Sequence, residues 1–179
     1  MRSQAIEAAG PDGSVLRVEF VWQGDRFGHR VSTVNTDGEI TPLLESIEGA
    51  AADDWPPSPP LQSLHIESLP DGRKAALLVG MAGRSHWSAS IETAKESAEI
   101  FFDLACRHSA SPKQLSSRYR ALPNATGQFE ILPEASRLIR DAKTAGDEII
   151  LEPAALKDSA ATTRWKYRVR LSPAVNPDP

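Results

Sequence analysis

The sequence predicts a mainly β fold, an antiparallel β sandwich or barrel built from sequential hairpins with one or two short helices. Apolar residues occupy every second position over 15–22 and over 164–171, and a period of two is typical of a strand with one buried face. The connections between most apolar segments are short and rich in Gly, Asp and Pro. Such connections join antiparallel neighbours, since parallel strands need crossovers of a dozen or more residues. A second layer or closure must then bury the apolar face.

We expect the 179 residues to form a single domain, since this length suits one hydrophobic core. Residues 1–13 are small and polar and predict a loose lead-in, 14–171 form the β domain, and 172–179 predict a frayed tail. A single cysteine excludes an intrachain disulfide. The chain has neither an apolar leader nor a run near the roughly 18 apolar residues of a spanning helix. We therefore expect a cytoplasmic protein that does not enter a membrane.

In the first half of the chain, the patterns predict two hairpins separated by a helix. The segments 15–22 and 27–34 alternate on either side of a Gly-Asp turn. The segments 61–69 and 74–80 flank a Pro-Asp-Gly turn, which is a strong hairpin signal. Between the hairpins, 41–48 starts with Thr-Pro and places its leucines and isoleucine on one side, as expected of a short helix.

In the second half, the patterns predict further strands and a second helix. The strands are expected at 86–92, 115–122, 128–132, 147–151 and 164–171. Residues 92–108 have the Ala, Lys and Glu content of a helix, but their apolar residues alternate, and we favour strand, loop and strand. Residues 133–143 start with proline and continue with helix formers towards Gly146, which predicts a short helix.

Polar and aromatic residues next to the hairpins predict a binding site. They come from three loops or strand ends and combine an aromatic wall with cationic and hydrogen-bonding groups, a mixture that suits a small anionic or polar ligand. The candidate ligand-binding residues are Arg26, His29, Trp55, Arg84 and His86. The leading hypothesis is therefore a binding or interaction module for such a ligand or for a protein partner.

Two other classes of function stay open. An enzyme would use His29 or His86 as general base with Asp103 orienting it, which requires hydrogen-bond reach between the two side chains. A structural subunit would assemble into a homo-oligomer through the flat faces of its sheet. The enzyme ranks behind the binding module because no catalytic motif occurs. Ser85 and His86 are neighbours on one strand and face opposite sides, and no G-x-S-x-G elbow is present.

The sequence predicts neither a metal nor a cofactor. The four histidines lack the close spacing of metal ligands. Gly24 and Gly28 lie in a hairpin turn, whereas phosphate-binding loops place their amides at the start of a helix. Cys106 alternates with core residues and is expected to behave as a small buried hydrophobe.

The last predicted strand carries the strongest local charge. Its cations are Arg164, Lys166, Arg168 and Arg170. Alternation places Trp165 and Tyr167 on the opposite face, so base stacking and phosphate contact would not share a surface. Glu148 and Glu152 on the preceding strand are expected to neutralise the cations. With a net charge of −4, the chain is a weak candidate for binding nucleic acid.

A proline run follows Trp55. Residues 56–60 contain four prolines, which fix an extended segment. We favour a rigid connection in which Trp55 packs onto the sheet. The two functional alternatives are a P-x-x-P ligand for an aromatic groove and a lid that closes over a cavity with Trp55 as its apolar contact.

Overall fold

The computed structural model describes residues 3–141, 147–156 and 159–172, which form thirteen strands and one turn of 3-10 helix at Pro123–Ala125. In chain order the strands are β1 (Gln4–Ala9), β2 (Val15–Trp22), β3 (Phe27–Val34), β4 (Ile40–Ser46), β5 (Ser63–Ser68), β6 (Lys74–Ala82), β7 (Ser85–Thr93), β8 (Glu99–His108), β9 (Ser117–Ala121), β10 (Phe129–Pro133), β11 (Ser136–Asp141), β12 (Glu148–Pro153) and β13 (Ala161–Leu171). No helix in these ranges is long enough to cross a membrane.

Two antiparallel sheets pack face to face. One has seven strands in the order β1-β2-β3-β4-β9-β12-β11, and the other has six in the order β10-β13-β8-β7-β6-β5. The mainly β prediction is confirmed, and of the two architectures left open the chain forms the sandwich. Each sheet keeps two free edges, so the described strands do not close into a barrel.

Side chains from the facing sides of both sheets form the hydrophobic core. The buried residues predicted from the two alternating segments are Leu16, Val18 and Phe20 of β2 with Trp165, Tyr167 and Val169 of β13. Trp22 and Leu171, at the ends of these strands, are half-buried. Period-two alternation therefore identified the inner face of both segments.

Both predicted hairpins are confirmed, as β2–β3 and β5–β6. Gly72 closes the second hairpin with a φ of +87°, a conformation that a residue with a side chain rarely adopts. Residues 92–108 form the end of β7, a loop and β8, so strand, loop and strand is confirmed over helix.

The helix predicted at 41–48 is wrong, because this segment contains β4, which lies between β3 and β9. The register of β3 on β4 shifts between Val31 and Ser32, so that Leu43 is an extra residue on β4. The bulge buries both Leu43 and Leu44. Two consecutive inward leucines imitate the spacing of a helix face.

The helix predicted at 133–143 is also wrong. Its described part forms β11, which pairs with β12 along its whole length. Sheet hydrogen bonds here override the helix propensity of the residues. Residues 142–146, which contain the end of that predicted helix, lie outside the described residues.

The N-terminal segment 1–13 is not a loose lead-in where the structure describes it. Residues 4–9 form β1, which pairs with β2, and Ile6 and Ala8 are buried. An alternation carried by one isoleucine and a small alanine is too weak to stand out in the sequence. Of the predicted tail, only Ser172 lies among the described residues.

The proline-rich segment Trp55–Leu61, here called the crossing segment, runs between the two sheets at one end of the sandwich. The Ser58 hydroxyl accepts a hydrogen bond from the Arg118 amide at 3.0 Å, on the seven-stranded sheet. The carbonyl of Leu61 accepts another from the Phe27 amide at 2.7 Å. The crossing segment is therefore fixed to the seven-stranded sheet through its backbone and one buried serine.

On its other side, the crossing segment meets the six-stranded sheet. It passes so close to Gly80 of β6 that a Cβ there would lie 1.8 Å from the carbonyl oxygen of Pro60. Pro56, Pro59 and Pro60 are buried, and Trp55 packs against the core. These contacts agree with a rigid connection. They leave both P-x-x-P registers covered and unable to dock in an aromatic groove.

Candidate functional site

A shallow groove on the outer face of the six-stranded sheet is the candidate site. Three depressions of about 510, 450 and 280 Å³ follow one another from the sheet towards Trp55. The first and second share His86 and Arg107, and the second and third share Arg84. We call this continuous surface the outer groove.

Strand pairing explains the shape of the outer groove. Met81, His86 and Arg107 lie side by side on β6, β7 and β8. The adjacent row consists of Val79, Ser88 and Ala105. The small side chains of Ser88 and Ala105 leave the depression between bulkier neighbours.

One wall of the outer groove is apolar and is formed by Val79 and Met81. Leu77, Val79 and Met81 alternate along β6 with their side chains outward, and their exposed fractions are 40%, 56% and 48%. We call these three residues the apolar stripe. Large apolar side chains that are exposed together, rather than singly, mark surfaces that bind something.

The opposite wall is cationic. Arg84 and Arg107 are exposed, and no described carboxylate forms a salt bridge with either guanidinium. By contrast, Arg164 and Lys166 on the same sheet both bind the Asp103 carboxylate at 2.7 Å. Arg84 and Arg107 therefore have donors available for an anion.

The structure brings three of the five predicted site residues into the outer groove. Trp55 and Arg84 line its far end together. His86 lies exposed on β7, and its neighbour Trp87 points into the core, as alternation requires.

Arg26 and His29 lie apart from the outer groove. Arg26 is buried beneath the loop after β4, where its Nη2 donates to the Asp25 carboxylate at 2.6 Å and to the Ala50 carbonyl at 3.1 Å. His29 points towards the core from β3, and its Nε2 is 2.7 Å from the Tyr119 hydroxyl. Both side chains stabilise the fold through these hydrogen bonds and do not line the outer groove.

His29 belongs to a buried polar cluster that we define as His29, Ser46, Glu48, Tyr119 and Tyr167. The Ser46 hydroxyl donates to Glu48 Oε1 at 2.7 Å and accepts from the His29 amide at 2.8 Å. The hydroxyls of Tyr119 and Tyr167 lie 2.6 Å apart and link the two sheets. The cluster is a hydrogen-bonded connection through the core.

Burial shifts the titration of this cluster in opposite directions. His29 keeps some accessible surface as a residue, but its ring lies among Phe20, Phe102 and Tyr119, and burial lowers its pKa to about 4. Burial raises the pKa of Glu48 to about 7, against the opposing effect of the Ser46 hydrogen bond. Near neutral pH the His29 ring is therefore uncharged.

Asp103 does not meet the histidine that it was predicted to orient. It pairs with Ser90, four residues along β7 from His86, which corresponds to about 13 Å. Its carboxylate binds Arg164 and Lys166 on the outer face, whereas His29 faces the core. Asp103 therefore pairs with neither His86 nor His29, as the enzyme hypothesis required of it.

The basic strand is neutralised, but the predicted partners are wrong. Glu148 binds Arg118 and Glu152 binds Arg137, both within the seven-stranded sheet. The cations of β13 lie on the other sheet, and their partners are Asp103, Glu99, Glu134 and Glu130. Strand order, which alternation alone does not determine, separates the predicted pairs.

Cys106 is buried on β8, and burial raises the pKa of its thiol to about 12. A reactive thiolate is therefore disfavoured at neutral pH. In the three described ranges, no three His, Cys, Asp or Glu side chains converge as metal ligands.

Sequence reasoning missed Arg107 and the apolar stripe. The outward alternation of Leu77, Val79 and Met81 is visible in the sequence, although it marks an exposed face only once the inner residues of β6 are known. Arg107 reaches the outer groove through its pairing with His86. That pairing depends on the register of β7 on β8, for which the sequence has no local signal.

No protein-family model matches this sequence, and a search of curated proteins finds no significant similarity to it.

Proposed function

We propose that the protein is a binding module whose outer groove holds a small organic anion with an apolar portion. The observation that carries this proposal is the continuity of the apolar stripe with Arg107 and Arg84 along one groove. Ligand sites combine apolar lining with a few convergent polar groups that fix orientation. The outer groove has this composition on a floor of small side chains.

The chemistry of the two walls indicates which chemical groups each end of the ligand carries. Hydrocarbon or aromatic atoms would contact Val79 and Met81, and a carboxylate, phosphate or sulfonate would accept hydrogen bonds from Arg107 and Arg84. Val79 and Arg107 lie two strands apart on β6 and β8, which corresponds to about 10 Å. The ligand is therefore elongated, with its charge at one end.

Two fluorescent probes test this proposal. The anion 1-anilinonaphthalene-8-sulfonate should bind, and Arg107→Gln should raise its Kd about tenfold, since a hydrogen bond to a charged group contributes about 1.5 kcal/mol or more. The neutral analogue N-phenyl-1-naphthylamine should bind the Arg107→Gln variant as well as the wild type. Met81→Gln should weaken both probes, because it removes apolar contact area.

Matched control variants lie on the other sheet. Val21 is 40% exposed there, and Arg137 has a 60% exposed side chain. Val21→Ser and Arg137→Gln should leave the Kd of both probes unchanged. Equal affinity of the wild type and of the Arg107→Gln variant for the sulfonate, measured by fluorescence titration, would contradict the proposed site.

A further inference from the structure

Among the described strands, β5 is a free edge of the six-stranded sheet. It pairs with β6 on one side, and no described strand pairs with its other side. Its sequence, Ser-Leu-His-Ile-Glu-Ser, contains no proline, glycine or lysine, and its pairing with β6 shows no bulge. Natural sheets protect their edge strands with prolines, charged side chains or bulges, because the unpaired backbone groups of an edge can bind another strand. β5 carries one acidic side chain, Glu67, but no proline, lysine or bulge, so its edge is able to pair with another strand.

The backbone groups available for that partner can be identified from the β5–β6 ladder. The Leu69 amide donates to the Arg73 carbonyl at 2.8 Å, directly beyond the paired residues. In an antiparallel pair, hydrogen-bonded residues recur every second position. The odd-numbered residues therefore bond to β6, and the N–H and C=O groups of Leu64, Ile66 and Ser68 point outward.

We infer that two copies of the protein associate through β5 about a two-fold axis at Ile66, joining their six-stranded sheets into one continuous sheet. This register places Ile66 opposite Ile66 of the second copy, and Leu64 opposite Ser68. All of these residues carry outward backbone groups, so the new ladder is fully hydrogen-bonded at these positions. The interface is independent of any ligand in the outer groove.

Charge complementarity selects this register. It places His65 opposite Glu67 of the second copy, and the symmetry repeats the pair. Both side chains lie on the outer face, with exposed fractions of 72% and 44%, and within one chain His65 Nε2 is 3.9 Å from Glu67 Oε2. They form a non-hydrogen-bonded pair, in which side chains approach most closely. A two-fold axis at His65 would instead bring two imidazoles together.

The inner face supports the same arrangement. Leu64 and Ile66 pack against the core but stay half-buried, because β5 is the last strand of its sheet. A second β5 would cover both side chains. Apolar burial and cross-strand ion pairs would then act on opposite faces of the same two strands.

Sedimentation equilibrium at pH 6 tests the inference. The wild type should show a dimer mass at 200 µM. His65→Glu should raise the dimer Kd at least tenfold, because it places two carboxylates opposite each other twice. The exchanged double variant His65→Glu/Glu67→His restores opposite charges and should return the dimer Kd to within about threefold of the wild-type value. Thr36→Glu adds the same charge in an exposed turn of the other sheet, and it should leave the dimer Kd unchanged.

A backbone variant separates this interface from a contact between side chains alone. Leu64→Pro removes an outward N–H without removing a β5–β6 hydrogen bond, so a protein with an unchanged near-ultraviolet dichroism spectrum should be monomeric. A monomer mass for the wild type at 200 µM overturns the inference. So does a dimer that His65→Glu leaves intact, because its copies would meet elsewhere.

Discussion

Replacing Trp165 with alanine is expected to lower the free energy of unfolding by about 3–5 kcal/mol, as large-to-small changes in tight cores do. The Trp165 side chain is fully buried on β13, and its ring meets Trp87 edge-on at a centroid distance of 6.2 Å. Its Nε1 donates to the Ser117 hydroxyl at 3.0 Å, on the opposite sheet. Alanine would leave a cavity and remove a contact that connects the two sheets. For an ordinary domain this is a large fraction of total stability.

Urea unfolding followed by far-ultraviolet circular dichroism measures this loss without relying on tryptophan emission. Trp22→Ala is the matched control, since Trp22 is half-buried at a strand end and packs edge-on against Phe27 at 5.0 Å. The control should cost about 1 kcal/mol. A Trp165→Ala variant as stable as the Trp22→Ala variant would show that the two sheets do not pack through Trp165.

The second large effect concerns how stability depends on pH. Native Glu48 keeps its proton up to about pH 7, whereas its ordinary pKa is 4.5. Between these values the unfolded chain binds fewer protons, so Glu48 lowers the free energy of unfolding as pH rises. Native His29 takes up a proton only near pH 4 instead of its ordinary 6.5, so His29 raises the free energy of unfolding as pH rises from 4 to 6.5. Each contribution amounts to about 3 kcal/mol.

The two contributions oppose each other between pH 4.5 and 6.5, and single variants should reveal them. In Glu48→Gln, the free energy of unfolding should rise by about 3 kcal/mol from pH 4 to 6.5, which is the His29 contribution alone. In His29→Gln, it should fall by about 3 kcal/mol from pH 4.5 to 7. Both amides keep a neutral hydrogen-bonding group in the cluster.

Urea titrations at half-unit pH intervals measure these slopes. Glu96→Gln is the matched control, because Glu96 is exposed in the loop before β8, and its profile should follow that of the wild type. If Glu48→Gln and His29→Gln both keep the wild-type slope, the two side chains titrate alike in the folded and unfolded chains. The buried cluster would then not control the pH dependence of stability.

Local patterns predicted strands where large apolar residues alternate, but they missed β1, whose buried side chains are only Ile6 and Ala8. The alternation of β2 and the Pro-Asp-Gly turn of the second hairpin are local patterns that predicted correctly. The two wrong helix predictions have a shared physical cause, because the conformation of each segment depends on pairing with another strand. Leu43 and Leu44 both point inward only because β4 bulges against β3. In β11, pairing with β12 decides the conformation against local propensity.

Only part of the candidate site could be predicted from the sequence, because the rest depends on how the strands pack and pair. Strand ends beside tight turns identified Arg84 and His86, and the proline run identified Trp55. Arg26 and His29 have the same residue types and are also close to a turn, but packing draws Arg26 beneath a loop and His29 towards the core. Alternation indicates which residues of one strand lie on the same face. It does not indicate which strands are neighbours in the sheet, and it is the pairing of β7 with β8 that brings Arg107 beside His86.

The placement of β13 has a consequence for the growing chain. It lies against β8, and 61 residues separate the paired side chains of Asp103 and Arg164. A ribosome completes β8 long before β13 emerges, so during that interval β8 is an open edge and Phe102 lacks the ring of Tyr167 that stacks on it at 4.8 Å. The nascent polypeptide therefore exposes an unpaired strand edge until β13 has been synthesised. This interval is therefore the stage of synthesis at which the exposed strand edge most favours aggregation.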